Sequence, residues 1–94
     1  MRRAAKIDSN QNQVIKSLRQ IPGVTIAVTS QLGNGFVDFI LGYRGVNYMI
    51  ELKDGDKAPS ARKLTPEEEK FHKQWAGQIS VCNSFDEVLR LINN

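Results

Sequence analysis

The stretch that most constrains the fold is residues 48–55, Y-M-I-E-L-K-D-G. Its apolar residues recur at every second position, which is the spacing of one face of a β-strand. Glu51 and Lys53 then lie together on the opposite face, so that a carboxylate and an ammonium project into the same space. The chain must therefore build a sheet that accommodates this charged pair.

A second acid interrupts another strand-like run, residues 36–41, where Asp38 stands in F-V-D-F-I-L. A lone carboxylate in a strand suited to the interior is costly to bury unless charged partners or a metal ion compensate it. If the two strands pair, Asp38 converges with Glu51 and Lys53 on one point. The alternative is that Glu51 and Lys53 form an ordinary exposed pair on a strand.

The remaining elements complete the predicted order α-β-β-β-α-β-α. A first helix should begin near Asp8 or Ser9 and stop at residues 22–23, Pro-Gly. Residues 24–28 and 78–82 read as further strands, 31–35 as a turn and 42–47 as a hairpin connection. The fold class is α/β (α+β), with a mixed sheet flanked by helices.

Two helix starts are marked by capping residues. Thr65 is followed by proline and, three residues after the cap, by Glu68, which predicts a helix ending at Gly77. Ser84 and Glu87 form the same pattern before a final apolar stripe. Residues 54–63, which precede the first of these helices, read as a solvated loop.

The 94 residues suit a single domain, 1–94, with residues 1–7 as a flexible basic arm. The net charge of +3 is compatible with a polyanionic partner without requiring one. A single cysteine, Cys82, excludes an internal disulfide and a cysteine-ligated zinc site, and is expected to be buried. No apolar run approaches the roughly 20 residues of a membrane helix, and we expect a soluble, cytoplasmic protein.

The three charged residues are of the types needed for metal-assisted phosphodiester cleavage. Mg²⁺ prefers carboxylate and water oxygens, which Asp38, Glu51 and the backbone carbonyl of Leu52 could supply. A bound metal lowers the pKa of its water and neutralises charge on the phosphate. Lys53 could orient or deprotonate that water, or stabilise the developing negative charge.

These residues resemble the PD-(D/E)xK nuclease superfamily, in residues 35–40 (G-F-V-D-F-I) and 50–53 (I-E-L-K). More closely, the chain is similar to the small stand-alone phage members of the virus-type replication-repair nuclease (VRR-NUC) family. The likeness extends over most of the chain, to residues 8–11, 41–45, 53–55, 59–68 and 75–77.

The resemblance implies a restriction-endonuclease-like core in which Asp38 and Glu51 bind Mg²⁺ or Mn²⁺ and Lys53 is the catalytic lysine. It also implies a homodimeric, structure-selective DNA endonuclease of the Holliday-junction resolvase type, acting on four-way junctions. The related domain of a eukaryotic DNA-repair nuclease acts instead on flaps. The implied setting is a bacterial host cell, with the protein encoded by a phage or prophage.

Three positions depart from the family pattern. Val37 replaces the usual proline before the aspartate. The first-helix glutamate has no exact counterpart: Asp8 is either a weak metal ligand or a helix cap with Gln11 as its partner, while Gln11 and Gln13 could hydrogen-bond a metal-bound water. Glu69, where many relatives carry glutamine, either adjusts metal affinity or faces solvent.

Other side chains have a structural and a functional interpretation. His72 is assigned to a surface or DNA-backbone contact rather than to general acid catalysis, and Phe71 and Trp75, four residues apart, are assigned to the core rather than to base stacking. Candidate phosphate contacts are Lys57, Arg62, Lys63, Lys70, His72 and Lys73, together with Arg2, Arg3 and Lys6 of the arm.

Two other functions compete with the nuclease. One is a non-catalytic DNA-binding module that keeps a nuclease fold, which the presence of Asp38, Glu51 and Lys53 disfavours. The other is a nuclease subunit that depends on a phage helicase or another replication protein. A homodimer would add buried apolar area to a small core.

Overall fold

The computed structural model describes residues 10–94, and within them the predicted order of helices and strands is confirmed. The helices and strands are α1 (Gln11–Leu18), β1 (Thr25–Val28), β2 (Phe39–Tyr43), β3 (Val46–Leu52), α2 (Pro66–Gln74), β4 (Ser80–Cys82) and α3 (Phe85–Ile92). Two short 3₁₀ helices, Ser30–Leu32 and Pro59–Arg62, lie in the loops before β2 and before α2.

The four strands form one mixed sheet in the order β1-β2-β3-β4. The first three pair antiparallel, and β4 pairs parallel to β3 after the chain has passed through α2. A parallel neighbour requires such a crossover, whereas antiparallel neighbours need only a tight turn. The sheet is thus a three-stranded meander extended by one parallel edge strand.

The connection between β2 and β3 is shorter than the predicted segment 42–47. Gly42 pairs with Asn47 and Tyr43 with Val46, so that only Arg44 and Gly45 remain as the turn. Both have positive φ, 52° and 78°, the requirement of the two-residue turn whose twist matches that of the strands. This turn sets the register of the hairpin that carries Glu51.

Helix α1 begins two residues later than the predicted start at Asp8 or Ser9, because Asn10 occupies its N-cap position. Asp8 itself, like the basic arm of residues 1–7, lies outside the described residues. The helix ends at Leu18, before Pro22.

The core lies between the sheet and helices α1 and α3. Its members are Val14, Ile15, Leu18, Val24, Phe39, Leu41, Ile50, Leu52, Cys82, Val88 and Ile92. The predicted burial of Cys82 is confirmed, and burial raises the pKa of its thiol to about 11. Such a thiol stays protonated and behaves as a small apolar group.

The two predicted capping boxes differ in the structure. The box of α2 is complete: the Thr65 hydroxyl accepts from the Glu68 N–H, and the Glu68 carboxylate accepts from the Thr65 N–H. At α3, Ser84 accepts from the Glu87 N–H, but Glu87 accepts from the N–H of Asn83 rather than from that of Ser84. No helix within residues 10–94 is long and apolar enough to cross a membrane.

Candidate active site

The register of β2 and β3 brings the predicted acids together. Phe39 pairs with Ile50, and the Asp38 N–H donates to the Ile50 carbonyl at 3.1 Å, so that Asp38 lies opposite Glu51. Asp38 immediately precedes β2 rather than lying inside a strand over 36–41, as predicted. Its Oδ2 accepts from the Leu52 N–H at 2.7 Å. This bond ties the acid to the peptide between Glu51 and Leu52.

Both acids and the lysine are buried. Asp38 is 6%, Glu51 1% and Lys53 7% exposed. The alternative in which Glu51 and Lys53 form an exposed pair on an ordinary strand is therefore wrong. Three ionisable side chains that are this deeply buried need partners that offset their charges.

Lys53 lies between two carboxylates. Its Nζ is 3.8 Å from Glu51 Oε2 and 2.8 Å from Glu68 Oε1. The Lys53 N–H donates to the Cys82 carbonyl, which anchors the residue to β4 just beyond the end of β3. The closer contact is a charge-assisted hydrogen bond, so Glu68 is the main partner of the ammonium within the described chain.

Glu68 is the site residue that the sequence did not point to. Its Oε1 accepts from both Lys53 Nζ and the Thr65 N–H, at 2.8 and 2.9 Å. The capping pattern located Glu68 at the start of α2, but nothing in the pattern indicates that the same oxygen reaches a lysine 15 residues away. Glu69 is exposed and pairs with Lys73 at 3.5 Å, which agrees with its solvent-facing alternative.

The three carboxylates titrate differently. Burial raises the pKa of Glu51 to about 10, and the nearby Asp38 carboxylate adds to the shift. Burial also raises the pKa of Asp38 above its usual range. Burial works in the same direction on Glu68, but hydrogen bonds from Lys53 and from the Thr65 N–H outweigh it and lower its pKa. Glu51 is therefore the acid that is costliest to ionise here without a further cation.

The start of α1 covers the ends of these strands. Gln11 is buried, and its Nε2 donates to Ser30 Oγ at 3.1 Å. Asn10 Nδ2 lies 3.4 Å from the Lys53 carbonyl. Three buried side-chain oxygens here have no hydrogen-bond partner among residues 10–94: Gln11 Oε1, Asn10 Oδ1 and Glu51 Oε1. Gln13, by contrast, is exposed.

Most of the candidate phosphate contacts among the described residues are exposed. The loop after β3 is exposed from Gly55 to Ala61, whereas Asp54, predicted to be solvated, is buried and accepts from the Asp56 N–H. Lys57, Lys63, Lys70 and Lys73 are exposed and Arg62 is half-buried. The loop and α2 thus present cations on either side of Glu68 in the chain.

Three side chains of α2 and its C-cap differ from or refine the prediction. His72 is half-buried, and burial lowers its pKa while Glu68 raises it and Lys53 lowers it. Its Nε2 has no partner within the described part of the chain. Phe71 is half-buried and Trp75 is exposed. The assignment of Trp75 to the core is therefore wrong.

No group of three or more histidine, cysteine, aspartate or glutamate side chains in residues 10–94 is arranged to hold a metal ion. Comparison of the chain with protein-family models, curated proteins and solved structures gives no match.

Proposed function

We propose that the protein is a metal-dependent endonuclease that hydrolyses phosphodiester bonds in DNA, on a restriction-endonuclease-like core. The observation that carries the proposal is the burial of Asp38 and Glu51 side by side, with the Lys53 ammonium 3.8 Å from Glu51. Two buried acids and a lysine cost stability in a small domain. A catalytic role explains why such an arrangement is present.

The donor atoms suit Mg²⁺ or Mn²⁺. Asp38 and Glu51 would hold the ion, and the backbone carbonyl of Leu52, which follows Glu51 in the chain, would be a third donor. All three are hard oxygen donors. Glu51 Oε1 is buried without a partner in the described chain, and burial together with the Asp38 carboxylate raises the pKa of Glu51, so that a bound cation would favour its ionised form. Mg²⁺ is usually held by one or two carboxylates, with water and substrate phosphate as further ligands. A cluster of three protein acids is therefore not required.

When bound, the metal lowers the pKa of a coordinated water and neutralises charge on the phosphate. Lys53 contributes a second positive charge, and its hydrogen bond to Glu68 holds the ammonium at a defined position. An ammonium held in this way stabilises negative charge that develops on the phosphate oxygens. The Leu52 N–H orients Asp38 by occupying its Oδ2.

DNA is the substrate class that the charge favours. The exposed cations Lys57 and Lys63 follow the active-site strand, and Lys70 and Lys73 lie on α2. Such side chains bind phosphates without reading sequence. Branched DNA, cut by a homodimer in the manner of a junction resolvase, is the substrate that the resemblance to VRR-NUC proteins suggests.

The test is cleavage of matched four-way junction, 5′-flap, single-stranded and linear duplex DNA with Mg²⁺, Mn²⁺ or EDTA. Glu51→Gln and Lys53→Met should each lower the rate by roughly 10²–10⁴-fold. Glu69→Gln is the matched control, because this glutamate is exposed and lies outside the cluster.

Metal-dependent cutting that both site variants abolish supports the proposal. Cutting that survives in EDTA, or in Glu51→Gln, overturns the assigned site. Binding of DNA without cutting under either metal would favour the non-catalytic DNA-binding module.

A further inference from the structure

Three aromatic rings form a stack beside the candidate active site, here called the aromatic ladder: Phe36, Phe71 and Trp75. Phe36 meets Phe71 edge-on, with ring centroids 5.3 Å apart and planes at 64°. Phe71 and Trp75 are stacked at 5.3 Å and 25°. The hydrophobic core formed by the described residues does not include any of the three.

The outer end of the ladder is open to solvent. Trp75 is 41% exposed, and it is the only aromatic residue among the large exposed hydrophobic residues of positions 10–94. The exposed ring is therefore available to a partner.

The ladder begins at the active site. Glu68 and Phe71, three residues apart, lie on one face of α2, and Trp75, four residues after Phe71, is the C-cap residue of that helix. Glu68 in turn bonds Lys53 at 2.8 Å. Seven residues of helix span about 10 Å, roughly the length of three stacked nucleotides at about 3.4 Å each. Trp75 is thus within a few nucleotides of any phosphate bound at Lys53.

The loop before β2 fixes the inner end of the ladder. The backbone of Gly35, at φ 80°, packs so closely on the first turn of α2 that a Cβ there would clash with the Glu67 carbonyl. Phe36 follows directly and contacts Phe71. The segment that presents Asp38 and the helix that presents Trp75 are therefore held together.

The segment of the chain that leads to Trp75 is cationic. Between residues 57 and 75 the chain carries five lysine or arginine residues against three glutamates. Lys70 and Lys73 lie on α2, which ends directly before Trp75, and both are exposed. An aromatic ring flanked by cations is the arrangement by which proteins bind single-stranded nucleic acid, with bases stacking on the ring and phosphates meeting the charges.

We propose that Trp75 stacks on an unpaired base of the DNA strand that enters the active site, so that the protein prefers DNA containing unpaired nucleotides over continuous duplex. A paired base in a duplex has both faces covered by its neighbours and cannot stack on the ring. The position of this base relative to a scissile phosphate rests on the proposed nuclease function. The stacking of a base on Trp75 does not depend on that function.

The experiment uses Trp75 as its own probe, because it is the only tryptophan of the chain. Its fluorescence is followed while a 12-nucleotide oligo-dT or a 12-base-pair duplex is added to the full-length protein in EDTA. We expect quenching by the single strand and little change with the duplex. Binding by Trp75→Phe, Trp75→Leu and Val46→Ala is then measured by the anisotropy of labelled oligo-dT.

Trp75→Leu should weaken binding of the single strand by roughly 5- to 100-fold, the range found for loss of one stacked base. Trp75→Phe should keep most of the affinity for the single strand, because phenylalanine has a ring on which a base can stack. Val46→Ala is the matched control: Val46 is an exposed apolar residue at the β2–β3 turn, and its replacement should leave binding unchanged. Equal affinity of Trp75→Leu and the unaltered protein, or equal quenching by single strand and duplex, overturns the proposal.

The outcomes separate this inference from the nuclease proposal. Quenching by oligo-dT in a protein that cuts no DNA would keep the stacking site and refute the nuclease. Metal-dependent cutting with the same substrate preference in Trp75→Leu would keep the nuclease and refute the stacking site.

Discussion

Helices α2 and α3 are similar in sequence design but are held by different forces. Both are short, with nine and eight residues, and both begin at a hydroxyl cap followed by acids. Helix α3 buries Val88 and Ile92 in the core. None of the nine residues of α2, all of which the structure describes, is buried. Its attachments to the rest of the chain include the Glu68–Lys53 ion pair and the Phe36–Phe71 contact.

The difference teaches that α2 is positioned by the site it serves. A helix docked by apolar area is stable whatever its polar face carries, since the hydrophobic effect is not directional. A helix docked by one charged hydrogen bond and an edge-on ring contact depends on the exact placement of a few atoms. Changes in α3 should therefore act on the stability of the whole domain, and changes in α2 on the geometry of the site.

The largest expected effect on stability comes from the core side of this comparison. Ile92→Ala should lower the free energy of unfolding by about 2–5 kcal/mol, because a large aliphatic group is removed from a packed interior. Trp75→Ala should cost less than about 1 kcal/mol, because the ring is exposed and lies outside the core. Urea unfolding followed by circular dichroism measures both. Equal losses of the free energy of unfolding in the two variants would mean that α2, like α3, is held by buried apolar area.

A second prediction concerns the ion pair that docks α2. Glu68→Ala should lower kcat by roughly 10- to 100-fold with little change in KM, because Lys53 loses the oxygen that fixes its position. Glu68→Gln should restore most of the rate, since an amide oxygen can accept both hydrogen bonds.

Thr65→Ala is the control for this prediction. It removes the hydroxyl cap, at a cost of about 0.5–2 kcal/mol, but leaves Glu68 and Lys53 in place, and its kcat should stay near that of the unaltered protein. If Thr65→Ala lost as much kcat as Glu68→Ala, the role of Glu68 would be merely to cap the helix.

A third prediction follows from the pKa of Glu51, which burial raises from 4.5 to about 10. Between these two values the folded metal-free protein binds more protons than the unfolded chain, so its stability falls as the pH rises. Glu51→Gln removes this titration. In EDTA it should raise the free energy of unfolding at pH 8 by about 1–2 kcal/mol, with a smaller gain at pH 4.

The measurement is thermal unfolding of both proteins across this pH range. A gain of about 1 kcal/mol corresponds to a rise in Tm of about 4–8 °C for a domain of this size. A pH profile identical to that of the unaltered protein would show that Glu51 is ionised without cost. Added Mg²⁺ should stabilise the unaltered protein more than Glu51→Gln, because only the former offers both carboxylates.

The smallest effect is expected at Glu69. Its pair with Lys73 is exposed at both ends, and such pairs contribute little to stability. Glu69→Gln should change both the free energy of unfolding and the cleavage rate within experimental error, for which about 0.5 kcal/mol is a fair bound. A strong loss of activity would restore Glu69 to the site in place of its neighbour Glu68.

The two glutamates also show where sequence reasoning reached its limit. Glu68 and Glu69 are adjacent and chemically identical, and either can precede a helical turn that faces a sheet. Which of them contacts Lys53 depends on how α2 is rotated about its axis, and each residue turns the helix by about 100°. The capping box placed Glu68 at the third helical position but carried no information on that rotation.

Local rules account for what the sequence by itself determined. Alternating apolar residues, glycine-containing turns and hydroxyl caps act over a few residues, and they predicted the order of the elements and the meeting of Asp38 with Glu51 and Lys53. The tertiary structure alone decided three further features: Glu68 of α2 contacts Lys53, Gln11 of α1 is buried, and the ring of Trp75 is exposed. These depend on the packing of segments far apart in the chain, where no local pattern constrains the contact.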